Sequence, residues 1–183
     1  MVYTLKKFIA DCRAALSENS NSRGREQVRA SLCKILEEDT FVNDNCGPKL
    51  KPGTSLLYQD RDLGFQIVSH IMGHAYEGGP HDHGVSWAIY GQAVRYTDMT
   101  EWTRVDDGSK NGFAKVEKAK IYRLQPGDAG IFDNHKIHSI SYPSGARFIR
   151  VTGVDLSTIK RSRFNPKNNT VSLTRRENFS GST

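Results

Sequence analysis

The part of the sequence that most constrains the fold begins at Ser55, where short β-prone segments start to follow one another along the chain. Turn-forming stretches separate them, and these read GF, EGGP, DDGSKNG, QPGD, DNH and YPSG. The segments themselves read SLLY, FQIVSHIM, SWAIYGQAVRYT, AKVEKAKIYRL, AGIF, IHSISY and ARFIRVTGV. Many short strands at fairly regular spacing favour an antiparallel sandwich or barrel over alternating β/α units. The sequence therefore predicts a mainly β fold.

Two amphipathic α-helices are predicted ahead of the strands. Apolar residues recur at three- and four-residue steps over 3–16 and again over about 25–38, with a polar break between the two segments. A loop rich in Asn, Gly and Pro is expected over 43–54. The chain is thus divided into three predicted parts, which are a helical lead-in (1–54), a β-barrel (55–163) and a basic, loosely packed C-terminal tail (164–183).

Composition argues against several functional classes. The chain has 183 residues, which favours one domain, and no apolar run approaches the roughly 18–20 residues of a membrane span. The segment MVYTLKKFIADCRAAL places charges among its apolar positions, unlike a signal peptide, so a cytoplasmic location is expected. The three cysteines lack CxxC or zinc-type spacing, so reduced thiols are expected. The net charge of +6 is partly concentrated in the tail, without the interleaved aromatic residues of a nucleic-acid motif. We therefore predict no nucleic-acid partner and no membrane association, whereas the positive charge favours a small anionic substrate.

All the histidines fall within the predicted β region, at His70, His74, His81, His83, His135 and His138. His81 and His83 stand one residue apart in PHDHG, and alternate residues of a strand point to the same side. Both imidazoles can therefore face the barrel interior while Asp82 faces away, and neutral imidazole suits iron, copper, nickel or zinc. The alternative is that two half-buried histidines only form hydrogen bonds to the backbone.

A second segment strengthens the metal interpretation. The stretch QPGDAGIFDNHKIH reads as a turn, a short apolar strand, a tight turn and a histidine. Together with PHDHG it resembles the cupin pattern, which implies a double-stranded β-helix, or jelly roll, here preceded by the two helices. The resemblance implies His138 as the third metal ligand, because His135 lies in the turn itself, where a glycine is usual. His70 and His74 are interpreted as core or surface residues, or as residues that orient a ligand.

Many cupins complete the metal shell with a glutamate four or five residues after the second histidine. Trp87 and Ala88 occupy those positions here. A neutral three-histidine face leaves bound Fe(II) with its full positive charge and with open coordination positions, which suits an anionic substrate and O₂ together. Fe(II) is therefore the expected cofactor, with Ni, Mn, Zn or Cu as alternatives.

A closer resemblance extends over most of the chain. The helical lead-in, the segment LYQDRDLGFQIVSHIMGHAYEGGPHDHGVSWAIYG, the segment LQPGDAGIFDNHKIHSISYPSG and the closing strand FIRVTGVDL with RSRFNP are similar to the cysteine dioxygenase-like (thiol dioxygenase) group of cupins. This resemblance implies a mononuclear non-haem iron held by His81, His83 and His138. It also implies oxygenation of a small thiol to a sulfinic acid.

The closing strand departs from that group on its pocket side. Members usually carry Ser, His and Tyr at alternate positions there, and the matching residues of this chain are Phe148, Arg150 and Thr152. A buried guanidinium needs an anionic partner, and its fork matches a carboxylate or a phosphate. Arg150 is therefore interpreted either as a substrate ligand or as one half of a structural ion pair, for example with Asp155.

Further pocket residues are predicted from their positions. Arg150 and Trp87, which stands in the vacated glutamate position, are the candidate catalytic residues. Arg61 lies upstream of the histidine pair, where group members place an arginine for an amino-acid carboxylate, and a surface turn residue is the alternative. Tyr90 either lines the pocket or packs in the core. The predicted substrate-binding residues are Arg150, Arg61, Tyr90, Phe148 and Thr152.

These features predict a mononuclear non-haem iron dioxygenase that oxidises a small anionic substrate with O₂, thiols included. One alternative is a non-redox metal-dependent cupin, an isomerase or lyase that uses Ni, Mn or Zn as a Lewis acid. Another is a ligand-binding cupin module without turnover. The chain shows no DNA-binding helix-turn-helix pattern that would transmit a binding signal, so this last function ranks lowest.

Overall fold

The polypeptide forms two facing antiparallel sheets with helices against the outer face of one of them. The computed structural model describes residues 2–175. The helices are α1 (Leu5–Glu18), α2 (Ser22–Leu36) and α3 (Asp39–Cys46). The strands are β1 (Gly53–Gln59), β2 (Gln66–Ile71), β3 (Tyr76–Glu77), β4 (Ala88–Val94), β5 (Thr97–Arg104), β6 (Val116–Leu124), β7 (Ala129–Phe132), β8 (His138–Tyr142), β9 (Arg147–Thr152), β10 (Lys160–Asn165) and β11 (Thr170–Arg175).

The strand order is that of a jelly roll. One sheet has the order β1-β2-β9-β4-β7, and the facing sheet has the order β3-β8-β5-β6. From β2 to β9 the chain passes from one sheet to the other at every connection except the β5–β6 hairpin. This arrangement defines a double-stranded β-helix, so the predicted fold class is confirmed.

Alternation along β4 separates two apolar clusters. Ala88 and Tyr90 point between the sheets, whereas Ile89 belongs to the cluster that the helices cover. Gly91 lies on the same outer face, and a Cβ atom there would lie 2.7 Å from Leu32 Cδ2 of α2. Glycine at this position therefore allows α2 to pack closely on the outer face of the sheet.

The N-terminal region contains the two predicted helices and a third, shorter one. Thr4 caps α1 by accepting a hydrogen bond from Lys7 N, and Asn21 caps α2 by accepting one from Arg23 N. The segment predicted as a loop over 43–54 instead begins inside α3. The sequence of α3 is mostly polar, so it lacks the apolar periodicity that would predict a helix. Phe41 of α3 is buried in the apolar cluster beneath the helices, and this contact holds α3 against the core. Within residues 2–175, none of these helices is long and apolar enough to cross a membrane.

The predicted boundary between barrel and tail at residue 163 falls inside strand β10. Strands β10 and β11 pair as an antiparallel hairpin, and Phe164 is buried with Ala114, Val116 and Ile137 beside the barrel. Phe164 is an apolar anchor within the predicted basic tail, and its burial, with Val171 packed against the same cluster, holds the hairpin against the barrel. The last part of the predicted tail, 176–183, lies outside the described residues.

Candidate metal centre

The structure brings the three predicted metal ligands together. His138 is the first residue of β8, and His81 lies opposite it in an isolated antiparallel bridge. Two backbone hydrogen bonds of 2.9 Å join these residues, one from His81 N to His138 O and one from His138 N to His81 O. One candidate nitrogen from each of His81, His83 and His138 lies within 4.8 Å of the others. These distances fit ligation of one ion.

The loop that carries His81 and His83 is fixed by the residues between and after them. Asp82 faces away from the cluster, as alternation predicts, and its Oδ1 accepts hydrogen bonds from Gly84 N (3.0 Å) and Ser162 N (2.8 Å). Gly84 has φ +55, and a side chain there would collide with the carbonyl oxygen of Lys160. The loop therefore takes its shape from contacts with β10 as well as from its own sequence.

The imidazoles present nitrogens suited to a metal. His81 Nδ1 lies 3.1 Å from Gly79 O, and His138 Nδ1 lies 3.4 Å from Lys136 O. Among the described residues, His138 Nε2 and His83 Nδ1 are buried and have no hydrogen-bond partner. Buried polar atoms are nearly always satisfied in native proteins, so two such nitrogens in one cluster fit a bound metal ion.

The environment keeps all three imidazoles in the neutral form that binds metals. Burial, together with the nearby positive charges of Arg161 and Arg163, lowers the pKa of His81 to about 4 against the opposing hydrogen bond to Gly79. Burial also holds the pKa values of His83 and His138 well below the usual value of 6.5, and in both cases neighbouring positive charge adds to the effect. Metal binding at neutral pH therefore requires little proton release.

The lowered pKa values predict that the chelator-treated protein loses stability as the pH falls. In the unfolded chain His81 takes up a proton near pH 6.5, but in the folded chain it does so only near pH 4. The unfolded state therefore binds more protons in this window, and the free energy of unfolding decreases. From His81 alone we expect a decrease on the order of 2 kcal/mol between pH 7 and pH 5, measured by urea denaturation.

The matched controls for this pH effect are two histidine substitutions. His81→Gln is expected to show a smaller decrease between the same two pH values, because one of the protonating groups is gone. His74→Gln, at an exposed histidine outside the cluster, is expected to show the wild-type decrease. An unchanged decrease in His81→Gln would contradict the assignment.

A cavity of about 720 Å³ opens between the two sheets beside the histidine cluster. Its wall includes His81 together with three of the predicted pocket residues, Tyr90, Phe148 and Arg150. Tyr90 and Arg150 are cross-strand neighbours on β4 and β9, and Tyr90 Oη lies 3.3 Å from His83 Nε2. The cavity thus places a metal ligand, a phenol and a guanidinium along one surface.

Three predicted pocket residues lie elsewhere. Trp87 belongs to the apolar cluster beneath the helices and packs against Gly153, because it precedes the inward-facing Ala88 by one residue. Thr152 is buried but is not part of the cavity wall, and its hydroxyl donates to Val154 O at 2.8 Å. Arg61 is exposed in the turn between β1 and β2, which is the surface alternative stated for it.

The other histidines are outside the three-residue cluster. His70 lines the cavity and stacks on Phe148 with ring centroids 4.7 Å apart. His74 is exposed. His135 occupies the tight turn before β8 with φ +59, a conformation that favours glycine, so its side chain points away from the metal ligands toward Asp82. Their placement leaves His138 as the third member of the cluster.

Two cavity residues escape the sequence-based assignment. Arg161 and Arg163, both on β10, line the same cavity as Arg150. They stand two residues apart in KRSRF, a strand-like spacing that places both side chains on one face, and this spacing was the available signal.

The fold and the site together define a double-stranded β-helix with a candidate three-histidine metal centre. No protein-family model matches this chain, and no curated protein matches it either. Structural similarity is found to solved structures that include a cupin superfamily protein and a cupin domain, at 15% and 13% sequence identity.

A cupin superfamily protein of Desulfitobacterium hafniense is 15% identical, with 58% of this chain and 84% of that chain covered and a TM-score of 0.40. KdgF from Halomonas sp. is 19% identical, with 54% and 74% covered and a TM-score of 0.39. An oxalate decarboxylase of Bacillus subtilis is 17% identical, with 56% and 26% covered and a TM-score of 0.39. The activity must therefore be inferred from this chain's own residues.

Proposed function

We propose that this protein is a metal-dependent cupin enzyme, a mononuclear non-haem iron dioxygenase that oxidises a small anionic substrate with O₂. The observation that carries the proposal is the adjacency of two groups in one cavity. Three neutral imidazoles, two of which have a buried nitrogen without a hydrogen-bond partner among the described residues, stand beside a buried guanidinium that has no carboxylate partner within residues 2–175. The first group suits a cation, and the second suits an anion.

The histidines and the cavity residues would divide the work between them. Fe(II) bound by His81, His83 and His138 would supply O₂ activation and Lewis acidity at neutral pH. Arg150 would bind the acidic group of the substrate through its planar fork. The hydroxyl of Tyr90, 3.3 Å from His83 Nε2, would orient that imidazole, and the apolar ring of Phe148 would exclude water from the reacting end of the substrate.

A small thiol remains in the proposed substrate class because of the resemblance to thiol dioxygenases. The cavity gives this narrower assignment less support than it gives the anion site. The strand position where that group carries a tyrosine is Thr152, whose hydroxyl is engaged by Val154 O. The tyrosine that does approach the histidine cluster is Tyr90, which lies on a different strand, β4. The substrate panel must therefore contain carboxylates without a thiol.

The same Thr152 observation supports a second function, a non-redox isomerase or lyase in which the metal acts as a Lewis acid. Such an enzyme needs the three histidines and the anion site but no O₂. Both functions use the same metal ligands and the same anion site. They therefore differ in one measurable property, the dependence of turnover on O₂.

The test combines metal content with the oxygen dependence of turnover. The protein is purified anaerobically, its bound metals are quantified, and O₂ uptake and product formation are followed with a panel of small thiols and carboxylates. We expect bound iron, and O₂ uptake that matches the substrate consumed. Equal turnover under nitrogen would overturn the dioxygenase in favour of the non-redox enzyme. Tight ligand binding without product under either gas would overturn both in favour of a binding module.

A further inference from the structure

Three guanidinium groups line the cavity at three different depths. Arg150 on β9 is 8% exposed, Arg161 on β10 is partly buried, and Arg163 on β10 is exposed. The Nε atoms of Arg150 and Arg161 are both buried without a hydrogen-bond partner among the described residues. These exposures place Arg150 deepest in the cavity and Arg161 and Arg163 nearer its mouth.

Strand β10 holds the two outer arginines in place. Ser162, which lies between them, turns away from the cavity and binds the loop that carries His81 and His83. Ser162 N donates to Asp82 Oδ1 (2.8 Å), and Ser162 O accepts from Asp82 N (3.1 Å). Phe164 N donates to Pro80 O at 2.9 Å, and Arg163 forms an isolated bridge with His81. Backbone contacts on both sides thus direct Arg161 and Arg163 toward the cavity.

The charge on the cavity wall is not balanced by the protein. No ion pair joins Arg150, Arg161 or Arg163 to a carboxylate anywhere in the part of the chain that the structure describes. The acidic wall residue Asp155 instead accepts hydrogen bonds from Ser157 N (2.9 Å) and Ser157 Oγ (2.8 Å). Three positive side chains and one negative one leave the described wall with a net charge of two before any metal binds.

Uncompensated charge of this kind has a cost in the free protein. Burial lowers the pKa of Arg161, and repulsion by Arg163 and Arg150 lowers it further. Like charges that share one cavity repel one another, and the buried ones destabilise the folded state unless a bound anion neutralises them. A substrate with a single negative charge would engage Arg150 and leave the two outer guanidinium groups without a partner.

We infer that the substrate carries two anionic groups, one held by Arg150 at the base of the cavity and the other held by Arg161 and Arg163 at its mouth. The groups are carboxylates or phosphates, which the guanidinium fork binds in bidentate fashion. This inference rests on the proposed function, because it takes the occupant of the cavity to be the substrate. It adds the charge and the approximate arrangement of that substrate.

The test is calorimetric binding under nitrogen to the protein with its metal retained. The probes are malonate, succinate and glutarate, each compared with its half-amide, which keeps the length but has one negative charge. We expect at least one diacid to bind about tenfold more tightly than its half-amide, because only the diacid engages both arginine sites. A preference below twofold for all three lengths would overturn the inference.

Variants of the hairpin separate a specific site from general attraction by charge. Arg161→Gln with Arg163→Gln is expected to abolish the preference for the diacid while binding of the half-amide changes less than threefold. The matched control is Lys167→Gln with Arg175→Gln, which removes two exposed positive charges of the same hairpin outside the cavity wall and is expected to keep the preference. Equal loss of preference in the control pair would overturn the inference.

A conservative pair tests the same point if the glutamine pair does not fold. Arg161→Lys with Arg163→Lys retains both charges and is expected to keep part of the preference, at least about threefold. No preference in this folded pair would contradict a charge-based second site. The failure of the inference is distinguishable from the failure of the proposed function, because the latter is decided by metal content and O₂ uptake and the former by binding without turnover.

Discussion

Replacing His83 with alanine is expected to lower the affinity for the metal by more than about 100-fold. Changing a residue that merely supports a metal ligand costs about 10–100-fold in affinity, and His83 would itself be one of three ligands. Its side chain is 2% exposed, so no external group can readily take its place in the cluster. His81→Ala with His138→Ala, which leaves a single imidazole, is expected to abolish metal binding.

The measurement is metal content per chain after dialysis against a weak chelator. His74→Ala and His135→Ala serve as matched controls, since both remove an exposed histidine outside the cluster and are expected to retain the metal. Circular dichroism establishes that each variant is folded. Wild-type metal content in the His81→Ala/His138→Ala protein would refute the metal centre and with it the proposed function.

Replacing Arg150 with methionine is expected to change stability and binding in opposite directions. The guanidinium is buried and has no ion-pair partner in the described chain, so its removal relieves a desolvation cost and is expected to raise the free energy of unfolding by about 1–3 kcal/mol. The same change removes the deep anion site. We expect substrate affinity to fall about 30-fold or more, as for other truncated partners of buried charge pairs.

Arg147 on the same strand is the matched control. Its guanidinium donates to the carbonyl oxygens of Cys46 and Gly47, and so it holds the end of α3 against the barrel. Arg147→Met is therefore expected to lower the free energy of unfolding by about 1–3 kcal/mol, because it leaves those carbonyls unsatisfied. Urea denaturation compares the two variants. Destabilisation of Arg150→Met to the same extent would indicate a structural role for Arg150 and contradict its assignment to the substrate.

The features that were predictable from the sequence are those that depend on local periodicity. Alternation in PHDHG places His81 and His83 on one side and Asp82 on the other, and the turn before β8 excludes His135. Alternation also places Phe148 and Arg150 in the cavity. Because successive strand residues face opposite sides, an assignment that is displaced by one residue fails completely, as it does for Trp87.

The features that were not predictable depend on contacts between distant segments. The hairpin carrying Arg161 is ordered by the bond from Ser162 N to Asp82 Oδ1 and by burial of Phe164, and neither partner is identified by local sequence. The polar helix α3 likewise depends on tertiary burial of Phe41. Propensity and periodicity do not register such contacts, because tertiary packing decides them.

The hydrogen bonds between β10 and the loop that carries His81 and His83 also have a consequence for how the protein folds. Asp82 and Ser162 are 80 residues apart in sequence. The loop that carries His81 and His83 therefore cannot form its hydrogen bonds to Ser162 until the ribosome has synthesised that later segment. Contacts of such high sequence separation form slowly, because chain entropy is lost before the contact is gained. The two imidazoles therefore emerge during synthesis well before the strand that shapes their loop, and the candidate metal centre is complete only after the C-terminal hairpin has docked.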